Sequence, residues 1–258
     1  MRAKSFIIVS LSALVTLVIS SLFLTLSSAE TKKSRETRLT VFAASSLSKV
    51  FSELAKTFER ENPSMKIRFS FLSSSVLASQ LVEGAPADIF ASASRSDMRT
   101  AGARMISPKS FASNRIVLAV NKSSNVKISK LEDLNRSGVK WIQCSHSVAC
   151  GKATDSALSE FKLVTSNPVS LEPSAASVVT KLLSKEVDAA FIYHTDVVEN
   201  SGALKEMSFP DKKSGRTVYE IGATRESKSL SQSRKFINFV LSPPGQKVLL
   251  HAGFGSTK

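Results

Sequence analysis

The stretch Leu39-Thr40-Val41-Phe42-Ala43-Ala44-Ser45-Ser46-Leu47 decides how this chain is read. Its first half is apolar and β-prone, and it stops abruptly at two small hydroxylated residues. Val50, Phe51, Leu54, Ala55 and Phe58 then recur with the period of an amphipathic helix. Ser45 and Ser46 therefore fall where a strand hands over to a helix N-terminus. Unpaired backbone N–H groups and the positive end of the helix dipole gather there, open to an anion or a capping oxygen. The pattern returns at once: Ile67-Arg68-Phe69-Ser70-Phe71 alternates like a strand, and Ser73-Ser74-Ser75 opens a helix carrying Val76, Leu77, Leu81 and Val82. Taken singly, a serine before a helix is more often a cap than a ligand. Two such junctions in close succession read as two walls of one oxyanion pocket.

Strand-like runs and amphipathic helices keep alternating to the end of the chain, the signature of an α/β fold. Gly84-Ala85-Pro86-Ala87-Asp88-Ile89-Phe90-Ala91-Ser92-Ala93 is a turn leading into a short buried strand, and Ile116 to Val120 is a strong strand. Leu131 to Leu134 reads as a short helix and Trp141 to Cys144 as a strand, after which Cys150-Gly151-Lys152 opens a helix. Pro173-Ser174 precedes another helix, and Val187 to Tyr193 is a buried strand whose end carries His194-Thr195-Asp196. Thr217 to Ala223 is a further strand. A helix over 229–241 is stopped by Pro243-Pro244-Gly245, and 246–251 form a last helical segment. Composition marks no linker and no repeat.

Bulk properties bound the function. Arg2 and Lys4 precede an apolar run from Phe6 to Leu26, and Ser27-Ser28-Ala29 offers the small residues a signal peptidase reads. Residues 1–29 are thus read as an export signal, with an uncleaved anchor as the alternative. Cleavage there leaves a body starting near Glu30, large enough for one domain or two lobes. No cysteine follows the apolar run, which argues against a lipid anchor. The formal net charge is +14, but its carriers are scattered: Lys32, Lys33, Arg35 and Arg38 near the start, Lys212-Lys213 and Arg216 in a loop, Arg234-Lys235 on a late helix. With no zinc-finger spacing and no aromatic-interleaved basic stripe, nucleic acid is not expected as a partner. Cys144 and Cys150, the only cysteines, are six residues apart. In an oxidising compartment such a pair can close a local disulfide contributing about 2 kcal/mol, whereas two thiols and a lone His146 make a poor metal site. Ser residues with His194 and Asp196 resemble a hydrolase set only superficially. No Gly-x-Ser-x-Gly elbow is present, and the acid and the histidine share one strand end without a nucleophile, so no enzymatic activity is expected. Asp88 and Asp196 are read as turn or cap residues.

These segments, in this order, resemble the periplasmic molybdate-binding proteins of ABC importers, a branch of the type II solute-binding proteins. The matching pieces are Val41 to Leu47, Phe71-Leu72-Ser73-Ser74-Ser75, Gly84 to Phe90, Asp188 to Asp196, and Pro243-Pro244-Gly245-Gln246 with Gly253-Phe254. The resemblance implies two α/β lobes joined by crossover hinge strands. The first lobe would hold residues 30–117 and 218–258, the second 118–217. It implies an oxyanion enclosed by the hydroxyls of Ser46, Ser74 and Tyr193 and by backbone N–H groups at Cys150 and Ala175. It also implies a monomer without cofactor whose cargo is molybdate or tungstate, held outside the cytoplasm for a permease and ATPase. The third loop departs from the family pattern at Ala149, where many relatives carry proline. A donor-only site suits a fully ionised dianion, because neutral donors at helix N-termini avoid burying a counter-charge. The alternative is a receptor for sulfate, thiosulfate or another tetrahedral oxyanion.

Overall fold

The computed structural model describes residues 36–163, 165–207, 209 and 215–257. Residues 1–29, expected to be an export signal, and Lys32, Lys33, Arg35 and the Lys212-Lys213 pair lie outside the described residues. In the first part of the fold, β1 (Thr37–Ala44) runs parallel to both β2 (Met65–Leu72) and β3 (Ile89–Ser92). Between them come α1 (Ser48–Glu61) and α2 (Ser74–Val82), and after β3 the short α3 (Arg95–Thr100). The apolar stripe expected on α1 is the buried one: Val50, Phe51, Leu54, Ala55 and Phe58. It packs with Leu39, Val41, Ile89, Phe111, Tyr219, Ile221 and Phe236 in one core. Within it Phe58 meets Phe236 edge-on at 5.2 Å between centroids. On the other face of β1 and β3, Phe42, Leu77, Leu81, Phe90 and Met98 make a smaller cluster under α2 and α3.

A long strand, β4 (Met105–Asn121), leaves this part and enters the next. Its first half belongs to the first core through Phe111 and Ala112, and its second half to another core through Ile116 to Val120. That second core is built from β5 (Trp141–Cys144), α4 (Ala149–Glu160), β6 (Ser170–Glu172), α5 (Ala175–Leu183), β7 (Ala189–Tyr193), α6 (His194–Glu199) and β8 (Leu204–Met207). Trp141, Ile142, Val178, Leu182 and Phe191 lie at its centre. The chain returns along β9 (Arg216–Thr224), antiparallel to β4 from Arg115↔Arg216 to Met105↔Thr224. It closes with α7 (Leu230–Leu241) and α8 (Pro243–His251). The strand order is β2-β1-β3-β9-β4-β7-β5-β6, with β8 on β4. The crossover pair β4 and β9 therefore stands between two parallel-stranded halves, each with its own core.

Three sequence expectations change. The strand read as Ile116 to Val120 begins far earlier, at Met105. Pro108 hides the extension, and the strand absorbs it through register shifts between Ile106 and Lys109 and between Ser110 and Ala112, with Ser107 at φ 42°. His194 and Asp196 are not on a strand end but in the first turn of α6. Pro243 and Pro244 do stand beyond α7, yet they also begin α8, in the first turn where a missing N–H costs nothing. Among the described residues no helix is long and apolar enough to cross a membrane.

Candidate anion-binding site

Four strand-to-helix junctions supply the site. After β1 the chain makes a 3-10 turn over Ser45–Leu47 before α1 begins. Ser73, extended at φ -65° and ψ 144°, precedes α2, whose first residue Ser74 is only 2% exposed. In the second half Val148 precedes α4 and Ser174 precedes α5. The caps differ in what they leave over. Ser174 uses its own hydroxyl on the Ser177 N–H, at 3.2 Å. At α2 and α4 no side chain caps the helix. The first helical backbone bonds are Leu77 N–H to Ser73 O, Lys152 N–H to Val148 O and Val178 N–H to Ser174 O. The N–H groups of Ser74, Cys150 and Ala175 thus have no acceptor among the described residues.

These groups face one cavity. Ser46, Ser74, Cys150, Ala175 and Tyr193 all line it, together with Ala44, Ser45, Ser73, Ala93, Val148, Ala149 and Ser174. No ionisable carboxylate, lysine or arginine is among them. The cavity offers about 20 Å³ to the centre of a water molecule. Taken as a sphere and extended by water's own radius, this is a hole of roughly 3 Å radius. That is the scale of a small ion, far below a sugar or an amino acid. A larger groove of about 270 Å³ runs beside it past Lys49, Glu53, Glu199 and His251. Two carboxylates make that groove a poor home for an anion.

The three hydroxyls differ in the partners they already have. Ser74 Oγ accepts the Ala93 N–H at 2.9 Å, which engages the oxygen and leaves its proton to point elsewhere. Ser46 Oγ lies 3.0 Å from the Tyr219 hydroxyl. Tyr193 ends β7 at 1% exposure, and its hydroxyl has no partner in hydrogen-bonding geometry, although Thr217 and Tyr219 stand beside it. Burial, and next the neighbouring Tyr219, push the Tyr193 phenol well above its ordinary range, so it keeps its proton at any physiological pH. A buried hydroxyl without an acceptor marks a place where a ligand or water completes the structure.

Cys144 and Cys150 are joined as a disulfide across the third junction. Gly151 follows, and a Cβ there would lie 1.9 Å from the Ser145 carbonyl oxygen, so only glycine lets α4 start this close to the loop after β5. The other residues singled out in the sequence stand away from the cavity. Asp88 accepts the Thr40 N–H at 2.8 Å and the Ser227 hydroxyl at 2.6 Å, holding a turn. Asp196 accepts the Tyr193 N–H at 3.1 Å, as a cap. His146 pairs with Asp155, and His194 with Glu206 beside Arg115. Among the described residues no group of three or more His, Cys, Asp or Glu side chains is placed to hold a metal ion. Tyr219, on crossover strand β9 and beside Ser46, was not singled out in the sequence. The alternation of Thr217, Tyr219 and Ile221 along one strand face was the available signal.

Two α/β halves, two crossover strands and an ion-sized cleft define a two-lobed solute-binding protein, and the chain belongs to the bacterial extracellular solute-binding protein family, whose model matches residues 39–255. Its relatives narrow the branch. The molybdate-binding protein ModA of Mycobacterium tuberculosis is 32% identical over 219 residues, covering 84% of both chains. ModA of Haemophilus influenzae is 27% identical over 230 residues, covering 85% of this chain and 90% of its own. Among solved structures, the periplasmic molybdate-binding protein of Azotobacter vinelandii superposes with a TM-score of 0.73 at 17% identity, covering 85% of this chain and all of the other. The sulfate-binding protein SubI of M. tuberculosis gives 0.72 at 17% identity, covering 84% and 86%. The fold is thus that of the two-lobed type II binding proteins, and the family is one of extracytoplasmic receptors, not enzymes.

Proposed function

We propose that this protein captures molybdate, and tungstate with it, outside the cytoplasm and delivers it to the permease and ATPase of an ABC importer. The anion is cargo and not a cofactor. The protein works as a monomer, and residues 1–29 export it. One observation carries the reading: serine hydroxyls, an unpaired tyrosine hydroxyl and residues with helix N–H groups lacking an acceptor, from both halves, line an ion-sized cavity that no charged side chain lines. A dianion without a proton offers only acceptors, and a donor-only shell matches it. A phosphate carrying a proton would need an acceptor carboxylate, and the lining has none. Helix N-termini supply the positive potential without the desolvation cost of buried lysine or arginine.

In this reading Ser46, Ser74 and Tyr193 donate through hydroxyls, and Cys150 and Ala175 through backbone N–H groups. Side-chain identity should then matter at the first three and little at Ala175. Titration calorimetry of the chain lacking its leader, with molybdate, tungstate and sulfate, tests this. Tight saturable binding of the first two is expected. Ser46→Ala, Ser74→Ala and Tyr193→Phe should each weaken it roughly ten- to a hundredfold, the worth of one hydrogen bond to a charged group. Tight binding of sulfate with none for molybdate would instead assign the cavity to the smaller anion. No heat with any of the three would refute the anion reading.

A further inference from the structure

Tyr219 is absent from the cavity lining, yet it is wholly buried, sits on crossover strand β9, and lies 3.0 Å by its hydroxyl from Ser46 Oγ. By distance alone either oxygen can donate in this pair. A hydroxyl has one proton, so the direction of that bond decides what Ser46 presents to the cavity. If Ser46 donates to Tyr219, it shows the ligand a lone pair, which repels an anion. If Tyr219 donates, the Ser46 proton is left for the ligand.

The burial of Tyr219 sets the direction. Its hydroxyl is wholly buried, and Ser46 Oγ is the hydrogen-bond partner it has among the described residues. A buried O–H without an acceptor is costly, so the Tyr219 proton goes to Ser46 Oγ, while the half-buried Ser46, which lines the cavity, can turn its own proton there. The packing holds the tyrosine ring still: Phe111 lies edge-on at 6.0 Å, and Phe254 at 5.5 Å.

We propose that Tyr219 is a positioning residue for anion capture: buried beside Ser46, it donates to Ser46 and so turns the single Ser46 proton into the cavity. Crossover strand β9 then does more than connect the halves, since its side chain sets the polarity of a ligand group. This rests on the reading of the cavity as an anion site that uses Ser46.

The test is a double-mutant cycle on molybdate affinity with Ser46→Ala, Tyr219→Phe and the two combined, each variant first shown to be folded by its apo melting curve. Phenylalanine keeps the packed ring and removes only the hydroxyl. Tyr219→Phe should weaken binding about three- to tenfold. In the Ser46→Ala background it should weaken binding no further, because the effect passes through Ser46. A merely structural contribution would cost the same in both backgrounds, and equal losses overturn the proposal. So does a Tyr219→Phe protein that binds like wild type while Ser46→Ala does not. If Ser46→Ala itself binds normally, the reading of the cavity fails, and this inference with it.

Discussion

A serine or tyrosine in this cleft is useful only if its proton faces the ligand, and the neighbours of each residue decide that. At Ser74 the neighbour is a backbone N–H and at Ser46 it is a phenol, while at Tyr193 the hydroxyl is simply left unpaired. Asp196, one turn beyond Tyr193, shows the cost of this crowding. It caps α6, but burial first, and Glu199 further down, push its carboxyl up to about 7, against the hold of the Tyr193 N–H. The sign follows from proton counting. Below its unfolded value the group is protonated in both states and full stability is present. As the pH rises, the unfolded chain releases the proton while the folded one keeps it, so stability falls until about pH 7 and stays reduced above it. Asp196→Asn keeps an oxygen for the Tyr193 N–H and removes the titration. Part of the residue is open to solvent, so the gain should be about 1–2 kcal/mol and not the full linkage value. Melting curves at pH 5, 6, 7 and 8 should draw together toward the acid end and separate by roughly 2–8 °C at pH 8, with the variant higher. Parallel curves would mean that the carboxylate is charged throughout.

Elements turn these residues into a site by starting where they do. Helix α4 illustrates it: the disulfide ties its second residue to the end of β5, and Gly151 lets its first turn lie against the Ser145 carbonyl. Gly151→Ala cannot be accommodated by moving a flexible side chain, because the obstacle is backbone. The helix start must shift, carrying the Cys150 N–H with it. The expected outcome is a loss of at least about 2 kcal/mol of stability together with loss of tight anion binding. Thermal melts and calorimetry would show it, and a variant with wild-type affinity would dissociate the α4 start from the site. The same elements show what a sequence can reveal. The Ser46 and Ser74 junctions were legible because an alternating run, a small polar break and a helical period follow one another in a few residues. Tyr193 and the α5 start gained meaning only from the order of segments along the chain. The early half of β4 was illegible because Pro108 and two register shifts erase its alternation, and three-residue β6 carries too little pattern to read. Tyr219 looked like core because its ring is core, and only the position of its oxygen, a tertiary fact, gives it another role.

A ligand enclosed by donors from both halves can enter only when the halves part, so whatever touches across the cleft biases the closed state. Among the described residues two ion pairs cross it. Lys49 on α1 meets Glu199 on α6 at 3.2 Å in the groove that shares Ser46 with the cavity. Lys152 on α4 meets Asp97 on α3 at 3.7 Å, and Lys152 lines a second groove that shares Ala93 and Ala149 with the cavity. They flank the cavity, but they are not equivalent. Both partners of the first pair are well exposed, so salt and water screen it and its worth is about 0.2–1 kcal/mol. Asp97 is 5% exposed in its side chain, one of its oxygens has no partner, and burial raises its pKa against the pull of Lys152. Removing Lys152 would leave that carboxylate uncompensated only while the cleft is closed, since opening the cleft removes its cover. Lys152→Ala should therefore weaken molybdate binding by about three- to tenfold, mostly through faster release, while Lys49→Ala should cost less than about threefold and nothing in high salt. Adding Asp97→Asn should recover most of the Lys152→Ala loss, because the buried charge is then gone as well. Stopped-flow release rates for the four proteins decide the matter. If Lys152→Ala releases anion at the wild-type rate, or if Asp97→Asn deepens the loss, the pair does not hold the cleft closed, and closure rests on the anion's own bonds to the two halves.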